Sequence, residues 1–299
     1  MKFNSSRMKK VLLLSAVVLF AVSAAGCSVP TDETGAVKQI TSSTTFNETM
    51  NSENWFSAIL VWPMAQVLNR LAPSIGVAGA IAVLTIAVNA ILLVFTLKST
   101  IATQEMQMLQ PEIEKITRKY EGKTDQASQM RMAQEQQALY KKYNINPFSM
   151  ILVTFLQFPI IIAMYQAVQR ATAVKTGTFM GFSLETKVLD GIRGGMWGYL
   201  LIFAIMGLAQ YVSMMLPQKL SKKRAEAEAA KHHRRPDAPA NSSQQKMMQI
   251  YMLVMILVFG LMWPAAMSVY WTIYSLVTIV KTLIVQKIVD DRQAKEAQA

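Results

Sequence analysis

The chain has 299 residues, of which 52% are hydrophobic and 16% are charged. Soluble globular domains usually have about a quarter of their residues charged, so this composition excludes an ordinary soluble fold and favours a membrane protein. The net charge of +12 does not predict a specific nucleic-acid surface, because the 30 Lys and Arg residues are grouped beside apolar runs. Such groups are typical of topology signals and lipid-headgroup contacts.

The N-terminus has the pattern of an export signal. Basic residues precede an apolar run from Val11 to Val22, which is too short for a comfortable span, and small residues follow it. We therefore predict a signal peptide over residues 1–26. The sequence Ala24-Ala25-Gly26-Cys27 resembles the lipobox of bacterial lipoproteins, although Ala24 stands where that motif usually has Leu. The resemblance implies that the sulfur of Cys27, the sole cysteine, carries a diacylglycerol with acyl chains such as palmitate; the alternative is a buried or incidental thiol.

Two segments precede the first apolar stretch of spanning length. Residues 27–54 are rich in Thr, Ser, Asn and acidic residues and predict a flexible extracytoplasmic tether. Residues 55–75 are apolar on one face, begin with Trp55 and contain Pro63. They predict an interfacial amphipathic helix rather than a further span.

Five later stretches approach the roughly 20 apolar residues that a helix needs to span the hydrocarbon. They predict transmembrane helices at 76–97, 149–169, 196–216, 247–264 and 267–286. Only the turn from Trp263 to Ala266 separates the last two, so these should form a tight antiparallel pair.

The distribution of basic residues predicts the orientation of these spans. Residues 98–148 hold eight Lys and Arg, residues 217–246 hold eight, and the tail from Lys281 holds four. The segments on the other side, including the loop at 170–195, hold six in total. Basic loops face the cytoplasm, so we predict a multi-pass protein of the bacterial cell membrane with its N-terminus outside and its C-terminal tail, 287–299, in the cytoplasm. The loop at 217–246 is predicted to be flexible and solvated.

The first cytoplasmic segment, 98–148, is predicted to contain a helical hairpin. Residues 104–119 and 126–142 are rich in good helix formers, and residues 120–125 break them. Apolar residues recur on one narrow face of the first helix, at Met106, Leu109, Ile113 and Ile116. This face could serve only to hold the two helices together, or part of it could stay free for other proteins. The predicted fold class is thus an all-α membrane protein with five transmembrane helices, an N-terminal interfacial amphipathic helix and a cytoplasmic helical hairpin.

The predicted spans contain no Asp, Glu or His in their interior. Intramembrane proteolysis, proton relay and metal chemistry need such groups within the membrane. We therefore predict that the chain is not an enzyme and has no catalytic residues, no metal site and no cofactor.

The spans do contain neutral polar residues that recur on defined helix faces. For Ser and Thr, hydrogen bonds between helices are an equally good explanation. A carboxamide has four hydrogen-bonding sites to satisfy in a dry bilayer, so Asn89, Gln157 and Gln210 favour a wettable cavity. The candidate cavity residues are Thr85, Asn89, Thr96, Thr154, Gln157, Gln210, Ser213, Ser268, Trp271, Ser275 and Thr278.

Several motifs in order along the chain resemble the YidC family of membrane protein insertases, bacterial relatives of the mitochondrial Oxa-type insertases. The lipobox and the five spans are similar to the Gram-positive form of that family. The matching motifs are MQMLQP at 106–111, ALYKKYNINP at 138–147, LQFPI at 156–160, VYW at 269–271 and LVTI at 276–279.

The resemblance implies a function in inserting and folding membrane proteins. In the family, a hydrophilic groove open to cytoplasm and lipid receives the polar part of a client protein. The resemblance places Gln157, Tyr270 and Trp271 in contact with clients and gives the hairpin a role in recruiting them. The implied partners are nascent membrane proteins and membrane lipids, with the ribosome and a Sec translocon as further candidates and no specific nucleic acid.

The alternative is a small-solute transporter or channel, for which a polar cavity would also serve. Five spans do not divide into equal repeated halves, and no buried charge marks an ion site. These features favour the insertase.

The chain departs from the family at one position in the first span. Asn89 stands where the family has a groove arginine, and Val94 stands where it has a proline. An arginine attracts acidic segments, whereas a carboxamide can only form hydrogen bonds and hold water. Lys98 and Lys281, near the cytoplasmic ends of their spans, are interpreted as anchors at the membrane interface.

Overall fold

The computed structural model describes residues 29–143, 145–146, 148–231 and 242–296, which are helical through most of their length. This confirms the predicted all-α class. The predicted signal peptide, Cys27 and the centre of the second basic loop lie outside the described residues. The elements are α1 (Phe46–Ser52), a π-helical turn (Ser57–Val61), α2 (Trp62–Met108), α3 (Gln110–Lys119), α4 (Gln126–Lys142), α5 (Phe148–Arg170), α6 (Thr172–Lys175), β1 (Thr178–Phe179), β2 (Phe182–Ser183), α7 (Val188–Arg193), α8 (Gly198–Lys231), α9 (Ser242–Met262) and α10 (Ala265–Glu296).

Contacts between residues group the chain into two compact units. The first unit comprises the residues up to Val88, Thr154–Phe203 and Met262–Tyr270. The second unit comprises Asn89–Val153, Ala204–Leu261 and the residues from Trp271 onward.

Among the described residues, three helical stretches are long and apolar enough to cross a membrane: Ser57–Met106, Gly198–Leu220 and Ala265–Asp291. The predicted span at 149–169 falls within α5, and the one at 247–264 matches α9 except for its last two residues, which lie in the turn after Met262. Helix α9 contributes a shorter apolar stretch. The five-span topology and its orientation remain predictions.

Helix α2 is interrupted at Gly76, whose φ of 74° and ψ of 161° are not helical. L-residues with a side chain rarely adopt this φ, so glycine permits the break at little steric cost. Pro73 lies one turn earlier and weakens the same stretch because it lacks an N–H donor. The boundary predicted between the interfacial segment and the first span therefore falls at a change of backbone direction.

The helical hairpin is present as α3 and α4. Helix α4 has the predicted bounds, and the Asp125 side chain accepts a hydrogen bond of 2.8 Å from the Ser128 N–H at its start. Helix α3 begins at Gln110 and not at residue 104 as predicted, because residues 104–108 continue α2. Pro111 explains the break between them, since its missing N–H ends the ladder of hydrogen bonds in α2.

The apolar face of the hairpin is used to hold it together. Met106, Leu109 and Ile145 form a buried cluster at its base, against which Ile113, Leu139 and Tyr140 pack. Burial of this cluster confirms the structural explanation for Met106, Leu109 and Ile113.

The predicted flexible tether is wrong for residues 29–54, which are folded within the first unit. Ile40, 1% exposed, pairs through its main chain with Ala171, and its N–H donates to the Arg170 carbonyl at 2.7 Å. Its own carbonyl accepts a hydrogen bond of 2.6 Å from the Asn69 side chain. A polar composition predicts disorder only when the backbone lacks partners, and here neighbouring elements supply them.

A buried ion pair fastens the end of this segment to α5. Arg170 donates from Nη1 to Glu53 Oε2 at 2.9 Å and from Nε to the Lys38 carbonyl at 2.9 Å. The two side chains are 1% and 4% exposed. A buried guanidinium requires this nearly complete set of acceptors.

The predicted loop at 170–195 is compact. Its two short strands pair antiparallel, with Thr178 opposite Ser183, around a turn at Met180 and Gly181 in which both residues have positive φ. The Ala265 N–H donates to the Thr186 carbonyl at 2.9 Å, so this loop covers the turn between α9 and α10. That turn occupies Trp263 and Pro264, close to where it was predicted.

The prediction of a flexible loop at 217–246 is wrong for its described parts. Helix α8 continues to Lys231 and α9 begins at Ser242. The C-terminal tail likewise continues α10 to Glu296. The Ala, Glu, Lys and Gln residues there are good helix formers and extend helices that have already been nucleated in the apolar spans.

Candidate functional site

The polar residues predicted on α2 share one face of the helix and are buried. Asn89 is 6% exposed, Thr85 1% and Thr96 6%. The Thr85 hydroxyl donates to the Ile81 carbonyl at 2.7 Å, and the Thr96 hydroxyl donates to the Leu92 carbonyl at 2.6 Å. These bonds within the helix satisfy both hydroxyl protons. Of the three residues on this face, Asn89 can form the most hydrogen bonds, because its carboxamide has two N–H donors and an oxygen acceptor.

Two other helices meet through a direct polar contact in the second unit. Ser275 Oγ on α10 donates to Gln210 Oε1 on α8 at 2.7 Å. Both side chains are buried, and Ser213 Oγ donates to the Gln210 main-chain carbonyl at 2.9 Å. The structure thus brings together Gln210, Ser213 and Ser275 out of the predicted set.

The polar face of α10 continues on both sides of Ser275. Trp271 lies one turn before it and packs edge-on against Tyr274, with ring centroids 5.6 Å apart. Thr278 lies one turn after it and is half-buried. Trp271, Ser275 and Thr278 therefore form a stripe that combines hydrogen-bonding groups with an aromatic ring.

The remaining predicted residues belong to the first unit. Ser268 and Tyr270 are almost completely buried at the start of α10. Gln157 is half-buried on α5, between the exposed side chains of Leu156 and Phe158. The side chain of Thr154 lies outside the described residues.

The arrangement can hold hydrogen-bonding groups and water. Among the described side chains, no group of three or more His, Cys, Asp and Glu is placed to hold a metal ion. What the site provides is a set of neutral donors and acceptors inside helices that are otherwise apolar.

Comparison with known proteins identifies the family. The sequence model of the family described as 60Kd inner membrane protein matches residues 67–293, more than half of the chain. The chain is 30% identical over 280 residues to Membrane protein insertase YidC 2 of Bacillus anthracis, an alignment that covers 93% of this chain and 94% of the relative. It is 29% identical over 277 residues to Membrane protein insertase MisCA of Bacillus subtilis (strain 168), covering 92% and 90%. The chain belongs to the YidC and Oxa-type insertase family.

A shorter alignment adds a more similar region. Over 83 residues the chain is 46% identical to Membrane protein insertase YidC 1 of Streptococcus pyogenes serotype M3, covering 28% of this chain and 30% of the relative. Membership of the YidC family confirms the resemblance drawn from the motifs. With three described helices of spanning length and composition, it also supports a membrane-embedded protein.

One polar contact in this YidC-family chain was missed by sequence reasoning. Gln104 Nε2 donates to Gln286 Oε1, and Gln286 Nε2 donates to Asp290 Oδ1 at 3.3 Å. Beside this contact Ile101, Val285 and Val289 form a buried apolar cluster. Hydropathy ended the two spans at 97 and 286, whereas α2 and α10 continue as helices beyond those points. The helix-forming composition of residues 98–108 was the available signal for this extension.

Proposed function

We propose that this chain inserts and folds client membrane proteins through a neutral hydrophilic groove lined by the polar faces of α2, α8 and α10. The observation that carries the proposal is the buried hydrogen bond between Ser275 and Gln210, which joins two helices of spanning length. Apolar packing alone does not require a carboxamide there. Membership of an insertase family supports the same function.

The physical effect of such a groove is to lower the barrier to moving a polar segment into the membrane. Each polar group that enters hydrocarbon without a partner costs several kcal/mol, roughly 2–7 depending on the reference state. Carboxamides, hydroxyls and the water they hold replace part of the lost hydration. The apolar part of the client can then enter the bilayer beside the groove, so insertion needs no bond chemistry and no ATP.

Asn89 makes the proposed groove neutral at the position where the family has an arginine. A carboxamide can donate and accept hydrogen bonds, so it can hold the backbone or side chains of a client whatever their charge. We therefore propose that this position binds polar segments by hydrogen bonding rather than by attraction between opposite charges.

The proposed function is tested by reconstitution. Purified protein in liposomes should promote insertion of short one-span and two-span clients without ATP, measured by protease protection of the translocated segment. The double variant Gln210→Leu, Ser275→Ala should lose most of this activity because it removes the polar contact while keeping similar volume at Gln210. The matched control is Leu208→Ala, a change at a 65% exposed position two residues before Gln210. Insertion no better than in empty liposomes would refute the proposal.

The export and lipidation of the N-terminus are a separate part of the proposal. We propose that residues 1–26 are removed and that Cys27 is lipidated. Cys27→Ala should abolish incorporation of a labelled fatty acid, and labelling that persists in this variant would refute lipidation.

The orientation is proposed to be N-terminus outside and C-terminus inside. A single cysteine introduced as Met130→Cys in the Cys27→Ala background tests it, because Met130 is 57% exposed on the hairpin. In intact cells an impermeant maleimide should leave this cysteine unlabelled, and it should label the cysteine after lysis. Labelling in intact cells would show that the hairpin lies outside the cell and would contradict the proposed orientation.

The partners are proposed from the function. Nascent membrane proteins are the clients, with the ribosome and a Sec translocon as further partners. Photo-crosslinkers at Asn89, Gln157 and Trp271 should each capture a stalled nascent chain, and capture by none of the three would contradict the groove.

A further inference from the structure

A cavity of about 240 Å³ lies in the first unit, where α5 ends and α10 begins. The N-terminal segment, the loop at 170–195 and the turn between α9 and α10 all contribute to its walls. These walls are mainly aliphatic, from Val37, Val168, Val174, Leu184, Pro264 and Ala266. Protein interiors contain few voids larger than a water molecule, and a smaller apolar cavity of about 150 Å³ can already bind benzene. This cavity therefore has room for part of a hydrocarbon chain.

The polar residues of the cavity do not favour a charged occupant. Lys175 Nζ lies 3.4 Å from Glu185 Oε1, so the two charges compensate each other at the rim. The Gln39 side chain donates from Nε2 to the Val37 carbonyl at 3.0 Å. A charged group that entered would exchange water for aliphatic walls without gaining a counter-ion of its own. The lining therefore favours an uncharged, apolar ligand.

Two aromatic side chains indicate that the cavity lies at the level of a membrane interface. Tyr165 on α5 and Trp263 in the turn before α10 pack with their ring centroids 5.0 Å apart. Trp263 directly precedes Pro264, and Tyr165 lies one turn before Val168. Tyr and Trp are enriched where spanning helices meet the lipid headgroups. A hydrocarbon chain that starts among the headgroups is therefore close to this cavity.

The N-terminal segment runs directly beside the cavity. The Lys38 N–H donates to the Pro30 carbonyl at 2.9 Å, and Thr31 pairs antiparallel with Val37 in the cavity wall. Cys27 lies outside the described residues, but only three residues before Pro30, so the chain between them can span at most about 11 Å. An acyl chain spans one leaflet, about half of the roughly 30 Å hydrocarbon core. An acyl chain carried by Cys27 can therefore reach the cavity.

Such an acyl chain would not be needed to keep this protein in the membrane. The described residues include three helices long and apolar enough to cross it, and a spanning helix anchors a protein far more firmly than one or two acyl chains do. Moving from the bilayer into an aliphatic cavity costs a hydrocarbon little, since both surroundings are apolar, and it gains van der Waals contacts with the walls. The effect expected of the lipid is therefore a local one.

We propose that the cavity binds an acyl chain carried by Cys27, and that this chain holds residues 29–40 against the end of α5. The inference rests on the proposed lipidation of Cys27 and does not depend on the insertase activity. The bound acyl chain then forms part of the core of the first unit.

Photo-crosslinking inside the protein tests this inference. Cells that express the chain are supplied with a fatty acid of palmitate length that has a diazirine in its tail, and the membranes are irradiated before digestion and mass spectrometry. The peptide that contains Cys27 should become joined through its lipid to residues 36–39, 168–175 or 184–185. Crosslinks from Cys27 to phospholipid alone would overturn the proposal. Cavity crosslinks that persist in Cys27→Ala would assign the cavity to a phospholipid acyl chain and would also overturn it.

A variant that fills the opening of the cavity provides a second arm. Ala36 lines the cavity and is exposed, so Ala36→Phe can occupy the opening without displacing the core. It should reduce the yield of cavity crosslinks several-fold. The matched control is Ser42→Phe, the same new side chain at an exposed position of the same segment outside the cavity. Equal yields in the two variants would count against the cavity as the binding site.

Hydrogen exchange measures what the acyl chain does to the fold. A lipase removes the ester-linked acyl chains and leaves the protein chain unchanged. In nanodiscs, the deacylated protein should exchange the amides of residues 36–40 about tenfold faster, the effect of exposing about two methylene groups to water. Exchange in α4 should stay the same. Equal exchange of residues 36–40 before and after deacylation would overturn the proposal.

The same experiments separate failure of this inference from failure of the proposed lipidation. Fatty-acid label on Cys27 without a crosslink to the cavity would refute the inference and leave lipidation standing. Absence of label on Cys27 would refute both, and in neither case would insertion of clients be affected.

Discussion

Two ion pairs in this molecule have similar N–O distances and different surroundings. In the first unit, Arg170 and Glu53 join α5 to the N-terminal segment with side chains 1% and 4% exposed. In the second unit, Lys119 and Glu135 join the two helices of the hairpin at 2.6 Å with side chains 61% and 37% exposed. Burial and not distance decides what such a pair contributes, because water and ions screen the exposed charges.

The pKa values of Glu53 and Glu135 are both lowered, but the causes differ. Burial raises the pKa of Glu53, but the hydrogen bonds and charge of Arg170, helped by Ser57 and Lys38, outweigh it and hold the pKa below its usual value. The pKa of Glu135 is lowered mainly by hydrogen bonds from Lys119 and Tyr120. The buried pair therefore contributes to the stability of the first unit, whereas the exposed pair adds little to a hairpin that its apolar cluster already holds together.

Breaking the buried pair should have the largest effect. Glu53→Ala leaves the guanidinium of Arg170 buried without its counter-ion, which should lower the free energy of local unfolding by about 3 kcal/mol. Hydrogen exchange of residues 29–54 in detergent or nanodiscs measures this change.

The double variant Glu53→Leu, Arg170→Met is the matched control. It removes both charges and replaces them with apolar groups, so most of the lost protection should return. Equal loss in the single and double variants would mean that the hydrogen bonds of Arg170 to the backbone, and not the ion pair, hold the segment.

Acid should open the same segment more moderately. The folded-state pKa of Glu53 is lowered, so its contribution is present above the unfolded-state pKa of about 4.3 and is lost as the pH falls through the folded value. Cleavage by pepsin within residues 29–54 should therefore rise as the pH is lowered below about 4.

A variant that cannot titrate at this position tests the assignment. Glu53→Gln should show a cleavage rate that is higher overall and depends less on pH in that range. A pH dependence identical to that of the wild type would assign the acid sensitivity to another group.

Breaking the exposed pair should have the smallest effect. Glu135→Gln should leave hydrogen exchange of α3 and α4 nearly unchanged, because the apolar cluster of Met106, Leu109 and Ile145 remains. Any small effect should vanish at high salt. A loss of protection comparable to that of Glu53→Ala would show that the hairpin depends on the pair of Lys119 and Glu135. The two ion pairs would then contribute equally.

The hairpin was the most predictable part of the fold. Helix propensity and the breaking residues 120–125 are local properties, and they predicted the bounds of α4 correctly. The break at Pro111 is also local, yet the start of α3 was placed too early because propensity alone extends across it. The polar segment at 29–54 was mistaken for a tether, since its stability comes from residues such as Asn69 and Arg170 that lie elsewhere in the chain.

The candidate site was predictable as a set of residues and not as a set of contacts. The polar faces of the spans could be seen in the sequence as periodic Asn, Gln, Ser and Thr residues. That Ser275 bonds Gln210, 65 residues away, and that Gln104 bonds Gln286, 182 residues away, could not.

The sequence by itself determined the all-α class, the apolar helices and the family, because hydropathy, helix propensity and ordered motifs act over short stretches of chain. Only the tertiary structure decided which polar groups meet. A hydrogen bond or an ion pair depends on ångström-scale distances between side chains, as the pairing of Ser275 with Gln210 and of Arg170 with Glu53 shows.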